Sequence, residues 1–185
     1  MRILQRNKKG SQLVEFGAAL SLLVSFVLVP VLNLSVIPLH WMMASEMINN
    51  MSRKLAFSES FSSARKAMAE SPSLQDRLTS IAGIKVDTLD LNLRIVSVAG
   101  ERIDVLLVSR PGEIPSDWLP NGAKSPCTYS LVLKTKLLIS PAFLMSGVGF
   151  AVPGLTAPVP VPIVASRAWE NLGKNPETGR FFMNE

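Results

Sequence analysis

Apolar residues run almost unbroken from Phe16 to Leu39, and from Phe16 onward no Asp, Glu, Lys or Arg appears until Glu46. At about 1.5 Å rise per residue, a helix of some 24 positions exceeds the roughly 30 Å hydrocarbon thickness of a bilayer. The pattern therefore predicts a membrane-spanning helix over residues 16–39. Helical spacing continues beyond it. Leu39, Met43, Met47, Met51 and Leu55 recur every four residues, which extends the helix to about Phe57 and reads as a core stripe rather than a promiscuous methionine surface.

Residues 58–83 read as short helices and linker. A loop is expected over 58–63, a short helix over 64–70 stopped by Ser71-Pro72, and a second one capped by Ser73 and ended at Gly83. From Ile84 the period falls to two. Val86, Leu89, Leu91, Leu93 and Ile95 alternate with one offset, residues 99–101 make a tight connection, and Ile103, Val105 and Leu107 resume the alternation, so a β-hairpin is expected. Residues 110–126, with Pro111-Gly112, Pro115, Pro120 and Asn121-Gly122, form a loop. Tyr129, Leu131, Leu133, Thr135, Leu137 and Ile139 define a third strand, and residues 162–169 a last one. The expected fold is α+β: a long N-terminal transmembrane helix packed at its outer half on a small antiparallel sheet of three or four strands.

A second uncharged tract covers residues 137–166. Its prolines and glycines oppose a lipid-exposed helix, so residues 141–162 are expected to form an extended apolar loop. Such a surface meets its own domain, another subunit or the membrane; a second span is the remaining reading. Residues 171–185 are polar and predict a poorly ordered tail.

Charge alters the picture in one respect. Arg2, Arg6, Lys8 and Lys9 precede the apolar run; 19 basic residues less these four leave 15 against 14 acidic ones, so the formal charge of +5 is largely a topology signal. By the positive-inside rule the N-terminus stays cytoplasmic and the remainder crosses outward. Nothing in this distribution calls for nucleic acid. Cys127 and His40 are each the only residue of their type. That excludes an intramolecular disulfide and a cysteine metal cluster, and it leaves any histidine-based catalytic constellation to one residue at the end of the apolar helix. His40 reads as an interfacial or packed residue. Glu113 and Asp117 lack the ligand density that calcium needs and read as solvated loop charges. No phosphate loop or dinucleotide fingerprint occurs. The sequence predicts no catalytic residue, cofactor or metal.

The remaining oddity is Glu15, a carboxylate at the head of a segment built for lipid. A carboxylate in hydrocarbon costs roughly 2.5–3.5 kcal/mol on insertion scales, so it calls for a partner. A secretory signal peptide accounts poorly for the length of the apolar run, the lack of an A-x-A-like site and the glutamate at its start; an uncleaved signal anchor accounts for the cations and the length, but not for Glu15.

Lys8-Lys9-Gly10 followed by Ser11 and then by Leu13-Val14-Glu15-Phe16 resembles the leader-peptidase site of type IV pilin-like proteins. Val14-Glu15-Phe16 after a short leader is most similar to the TadE/TadF-like minor pilins of the tight-adherence (Tad) pilus. Tyr129 and the closing segment of residues 165–170 resemble the end of such chains more loosely. Many of these sequences carry a proline about six residues after the glutamate. Here Ser21 stands at that place and the prolines come later, at Pro30 and Pro38.

The resemblance implies that residues 1–10 are a leader, cut between Gly10 and Ser11 by a prepilin peptidase at the cytoplasmic face. Cleavage would leave a new α-amino cation on Ser11. An axial offset of about four residues, roughly 6 Å between stacked helices, would set that cation beside a neighbour's Glu15. The expected function is that of a minor pilin or pseudopilin inserted in the inner membrane, with Glu15 and Phe16 in assembly. Its implied partners are the peptidase, the major and other minor pilins, the inner-membrane assembly platform and the lipid bilayer. The alternative is an uncleaved single-pass anchor carrying an exported ligand-recognition domain.

Overall fold

The computed structural model describes residues 8–70, 73–98, 103–143 and 151–185, with side chains from residue 12 onward. Its N-terminal part is one helix in three pieces: α1 (Lys8–Leu23), a π-helical turn (Val24–Leu28) and α2 (Val29–Ala56). The π turn has a local reason. Pro30 has no N–H, and its ring crowds the carbonyl four residues back. Just before it the ladder widens, the Val29 N–H donating to Val24 O, five residues back rather than four. The helix is long and apolar enough to cross a membrane, and only 6% of its most apolar 18 residues are buried within the protein.

Two short helices follow, α3 (Phe61–Ala69) and α4 (Leu74–Thr79). α3 starts earlier than the serine-rich run suggests because Ser60 is its N-cap, accepting from the Ser63 N–H at 3.2 Å. Ser73 caps α4 as expected. With Asp76 it forms a reciprocal capping box, and hydrogen bonds from the Ser73 side chain and backbone hold the Asp76 carboxyl below its usual range. Gly83, at a φ of +84°, then turns the chain into the sheet.

The sheet has four antiparallel strands, β1 (Ile84–Ser97), β2 (Asp104–Val108), β3 (Cys127–Ile139) and β4 (Val159–Ala168), in the order β2-β1-β3-β4. The offset in the β1 pattern is a bulge. Val86 pairs with Leu137 and Thr88 with Lys136, so Asp87 is the extra residue. It moves the inward face from Ile84 and Val86 to Leu89, Leu91, Leu93 and Ile95. Asp87 turns out to meet Lys136 at 2.9 Å, and the buried Thr135 hydroxyl donates to Thr88 O at 2.7 Å. The connection expected over residues 99–101 lies outside the described residues.

β4 begins at Val159, three residues earlier than expected, and takes in Pro160 and Pro162. An edge strand tolerates them. The Trp169 N–H donates to Tyr129 O, so odd-numbered positions of β4 face β3 and the even ones, both prolines included, face the open edge. Two donors are thereby missing from that edge, which blunts strand addition there.

α2 packs across the inward face on β3 and β4, and α4 lies against β1. The core contains Leu91, Leu93, Ile95, Leu131, Leu133 and Leu137 from the sheet and Ala44, Ile48 and Leu55 from the helix. The methionine stripe therefore needs correction. Met47 and Met51 are partly buried, but Leu39 and Met43 are exposed, and Ala44, Ile48 and Ser52 hold the centre of the contact. Four residues advance a helix by about 400°, so a row at strict spacing four drifts some 160° between Leu39 and Leu55 and cannot stay on one face.

The C-terminal segment is a second correction. Residues 171–185 are not a loose tail: Met183 is fully buried, Phe181 packs on the core, and residues Phe182–Asn184 form a 3-10 turn. Asn184 brackets Ile114, accepting from its N–H at 3.0 Å and donating to its carbonyl at 3.3 Å, while the Ser62 N–H donates to Glu185 O at 2.7 Å. Side-chain hydrogen bonds from Thr178 and Asn175 hold the Glu185 carboxyl below its usual range.

Tyr129, the only tyrosine, donates to Trp118 O at 2.9 Å. Burial first, and Cys127 beside it second, push its phenol up to about 12. An unfolded chain releases this proton near pH 10, so the folded state keeps it longer. The group's stabilising contribution is full below about pH 10 and is lost as pH rises from there through about 12. Melting temperatures should fall over that window, and phenolate absorbance of the folded protein should emerge only near its top. A folded-state phenolate transition at about pH 10 would contradict the burial.

Candidate functional site

The Gly10–Ser11 bond lies within the first turn of α1, which begins at Lys8. A first turn lacks the hydrogen bonds of a helix interior and frays readily, so the backbone unwinds there at little cost. Glu15 follows about 6 Å further along the axis and is exposed, as is Phe16 at 69%. Leu13 and Val14 are still more open, so this end presents bare side chains around the carboxylate. Of the four N-terminal cations, Lys8 and Lys9 lie in α1, and Arg2 and Arg6 fall outside the described residues.

A second feature lies near the middle of the long helix. Asn33 is fully buried, although its helix neighbours Leu32 and Leu34 are exposed. Its amide clamps the backbone of Phe143 from both sides, the side-chain nitrogen donating to Phe143 O and the side-chain oxygen accepting from Phe143 N–H, each at 2.8 Å. One turn on, Gly154 sits so close to Ile37 that a Cβ there would come within 3.0 Å of its Cδ1. The next turn brings His40 against the Gly83 turn, where a Cβ would lie 3.4 Å from its ring. The described parts of the β3–β4 connection, residues 140–143 and 151–158, are thus held against α2 at Asn33 and Ile37, and they carry no charge. His40 is a packed residue with its Nδ1 buried and without a hydrogen-bond partner. Among the described residues no group of three His, Cys, Asp or Glu side chains is placed to hold a metal; Glu113 and Asp117 are exposed on the 110–126 loop.

Just beyond His40, an open groove of about 440 Å³ is lined by residues that include Trp41, Ser45, Glu46, Arg53 and Arg167. Ser45 Oγ and Arg167 Nε are buried there without hydrogen-bond partners. The groove lies where the helix leaves its most apolar part.

Gly10, Ser11 and Glu15 are therefore contiguous at one end of the helix, with Glu15 some 27 Å along the axis from the Asn33 clamp. Attention to charge alone passes over Asn33. The available signal is a lone amide in an otherwise apolar stretch, since such a group needs a partner as a carboxylate does. Comparison of the chain with protein-family models, curated proteins and solved structures finds no match.

Proposed function

We propose that this chain is a minor pilin or pseudopilin of the Tad type, inserted in the inner membrane, cut between Gly10 and Ser11 by a prepilin peptidase, and used in assembling an adhesive or secretory filament. The observation that carries the reading is the placement of Gly10, Ser11 and Glu15 at the free end of a helix whose first half stands clear of its own domain. A carboxylate on such a helix is tolerated when an assembling neighbour supplies a cation, and the amine released on Ser11 is of the right sign at the right offset. The orientation follows from Lys8 and Lys9, with the sheet exported and the assembly platform and other pilins as partners. The blunted β4 edge is consistent with subunits that meet through helices rather than by adding strands.

Intact-mass spectrometry of the protein extracted from membranes should show a chain beginning at Ser11 in cells that contain the peptidase, and the uncut chain when the peptidase is absent. An uncut chain in both would overturn the proposal in favour of a tethered binding module.

A further inference from the structure

The loop that Asn33 holds has an unusual address. Counting from Glu15, Asn33 lies roughly 27 Å along the helix, inside the roughly 30 Å hydrocarbon layer if Glu15 marks its cytoplasmic edge. Counting instead from Lys9 gives roughly 36 Å, which is still within the 40–45 Å that includes both headgroup layers. Tilt of the helix would only bring Asn33 deeper. Whatever backbone Asn33 holds must therefore share that depth.

Resting on the membrane-spanning reading above, we infer that residues 140–143 and 151–158 of the β3–β4 connection are lipid-immersed: the exported domain does not stand on the membrane but sinks this apolar end into the outer leaflet around α2. Four observations carry this. Irregular backbone at membrane depth requires its polar groups to be satisfied within the protein, and Asn33 does this for both polar groups of Phe143. Within the same connection, Val152 N–H donates to the Thr156 hydroxyl at 2.7 Å and Gly154 N–H to Ala157 O at 2.8 Å. The surface turned outward is apolar, with Phe143 half exposed and Ala142, Ala151, Pro153 and Pro158 open around it. The rim is the kind an interface favours: Trp41 lies half exposed just past Ile37, and the exposed Lys85 stands beside the Gly83 turn, opposite Leu138 and in line with Pro160 across the sheet. The occupant of this surface is lipid because the surface is continuous with the bare apolar helix below it.

The test uses the full chain with its single cysteine replaced, Cys127→Ser, and bimane placed in turn at Leu22→Cys, Phe143→Cys and Ser62→Cys, in phosphatidylethanolamine/phosphatidylglycerol vesicles. Lipids brominated on the acyl chain quench from within the bilayer, and iodide quenches from water. Bimane at 22 and 143 should be quenched by bromolipid several-fold more than at 62 and shielded from iodide, with the reverse at 62. Quenching at 22 combined with iodide access at 143 would overturn the immersed loop while leaving the span intact. No lipid quenching at 22 would instead remove the span on which the inference stands. Shielding from both quenchers at 143, with disulfide-linked dimers through that position, would assign the surface to a second copy and likewise overturn it.

Discussion

Glu15→Ala should insert in the membrane at least as well as the parent chain and yet fall out of assembled filaments by on the order of 100-fold or more. The two effects have opposite signs. Removing the carboxylate removes an insertion cost of roughly 2.5–3.5 kcal/mol, so the monomer gains. In the assembled state, deleting one partner of a buried ion pair strands the other, at a cost of about 3–5 kcal/mol; 1.4 kcal/mol is a factor of ten, which gives the expected loss. Fold is spared because Glu15 lies on the exposed first part of α1, away from the sheet. Quantifying the variant in membranes and in sheared filaments separates the two numbers. Normal levels in filaments would end the assembly role of Glu15, even if the Gly10–Ser11 bond were still cut.

Met183→Ala is expected to destabilise the sheet domain by about 2–5 kcal/mol, the range for emptying a fully enclosed methionine site. The effect would be out of proportion for a chain terminus. Met183 sits where residues 181–185 close over α3 and the 110–126 loop, and Asn184 ties that closure to Ile114. Thermal unfolding followed by tryptophan fluorescence would measure the loss, with the exposed Glu177→Ala as a reference expected to change stability by no more than about 0.5 kcal/mol. Equal melting temperatures for the two variants would return the segment to the status of a tail.

The contrast between these residues shows what the sequence makes legible. Glu15 stands out because a charge in an apolar run is a local anomaly, visible without any fold. The strands are legible for a related reason: alternation writes their inward face directly into Leu91, Leu93, Leu131 and Leu133, and even the Asp87 bulge leaves its trace as an offset. Met183 leaves no such mark. Phe181, Phe182 and Met183 form an apolar run too short to carry a period, and the burial of Met183 emerges only when α3 and the 110–126 loop are in place beside it. Asn33 falls between these cases. Its polarity is plain in the sequence, but its partner Phe143 lies 110 residues away, and no periodicity links the two. The methionine stripe holds at Met47, Met51 and Leu55 and is lost at Leu39 and Met43, through arithmetic rather than distance, since spacing four only approximates a helical face.

The π turn at Val24–Leu28 separates the carboxylate from everything that packs on the sheet. Widening a turn by one residue rotates all that follows by the angle of one residue, about 100°, while scarcely altering its height. The azimuth of the sheet domain about the helix axis, measured from Glu15, is therefore set within the most apolar part of the helix, by a few residues ahead of Pro30. In any assembly that repeats this subunit by a screw operation, that angle decides which side of the sheet looks outward and which is turned to the neighbour.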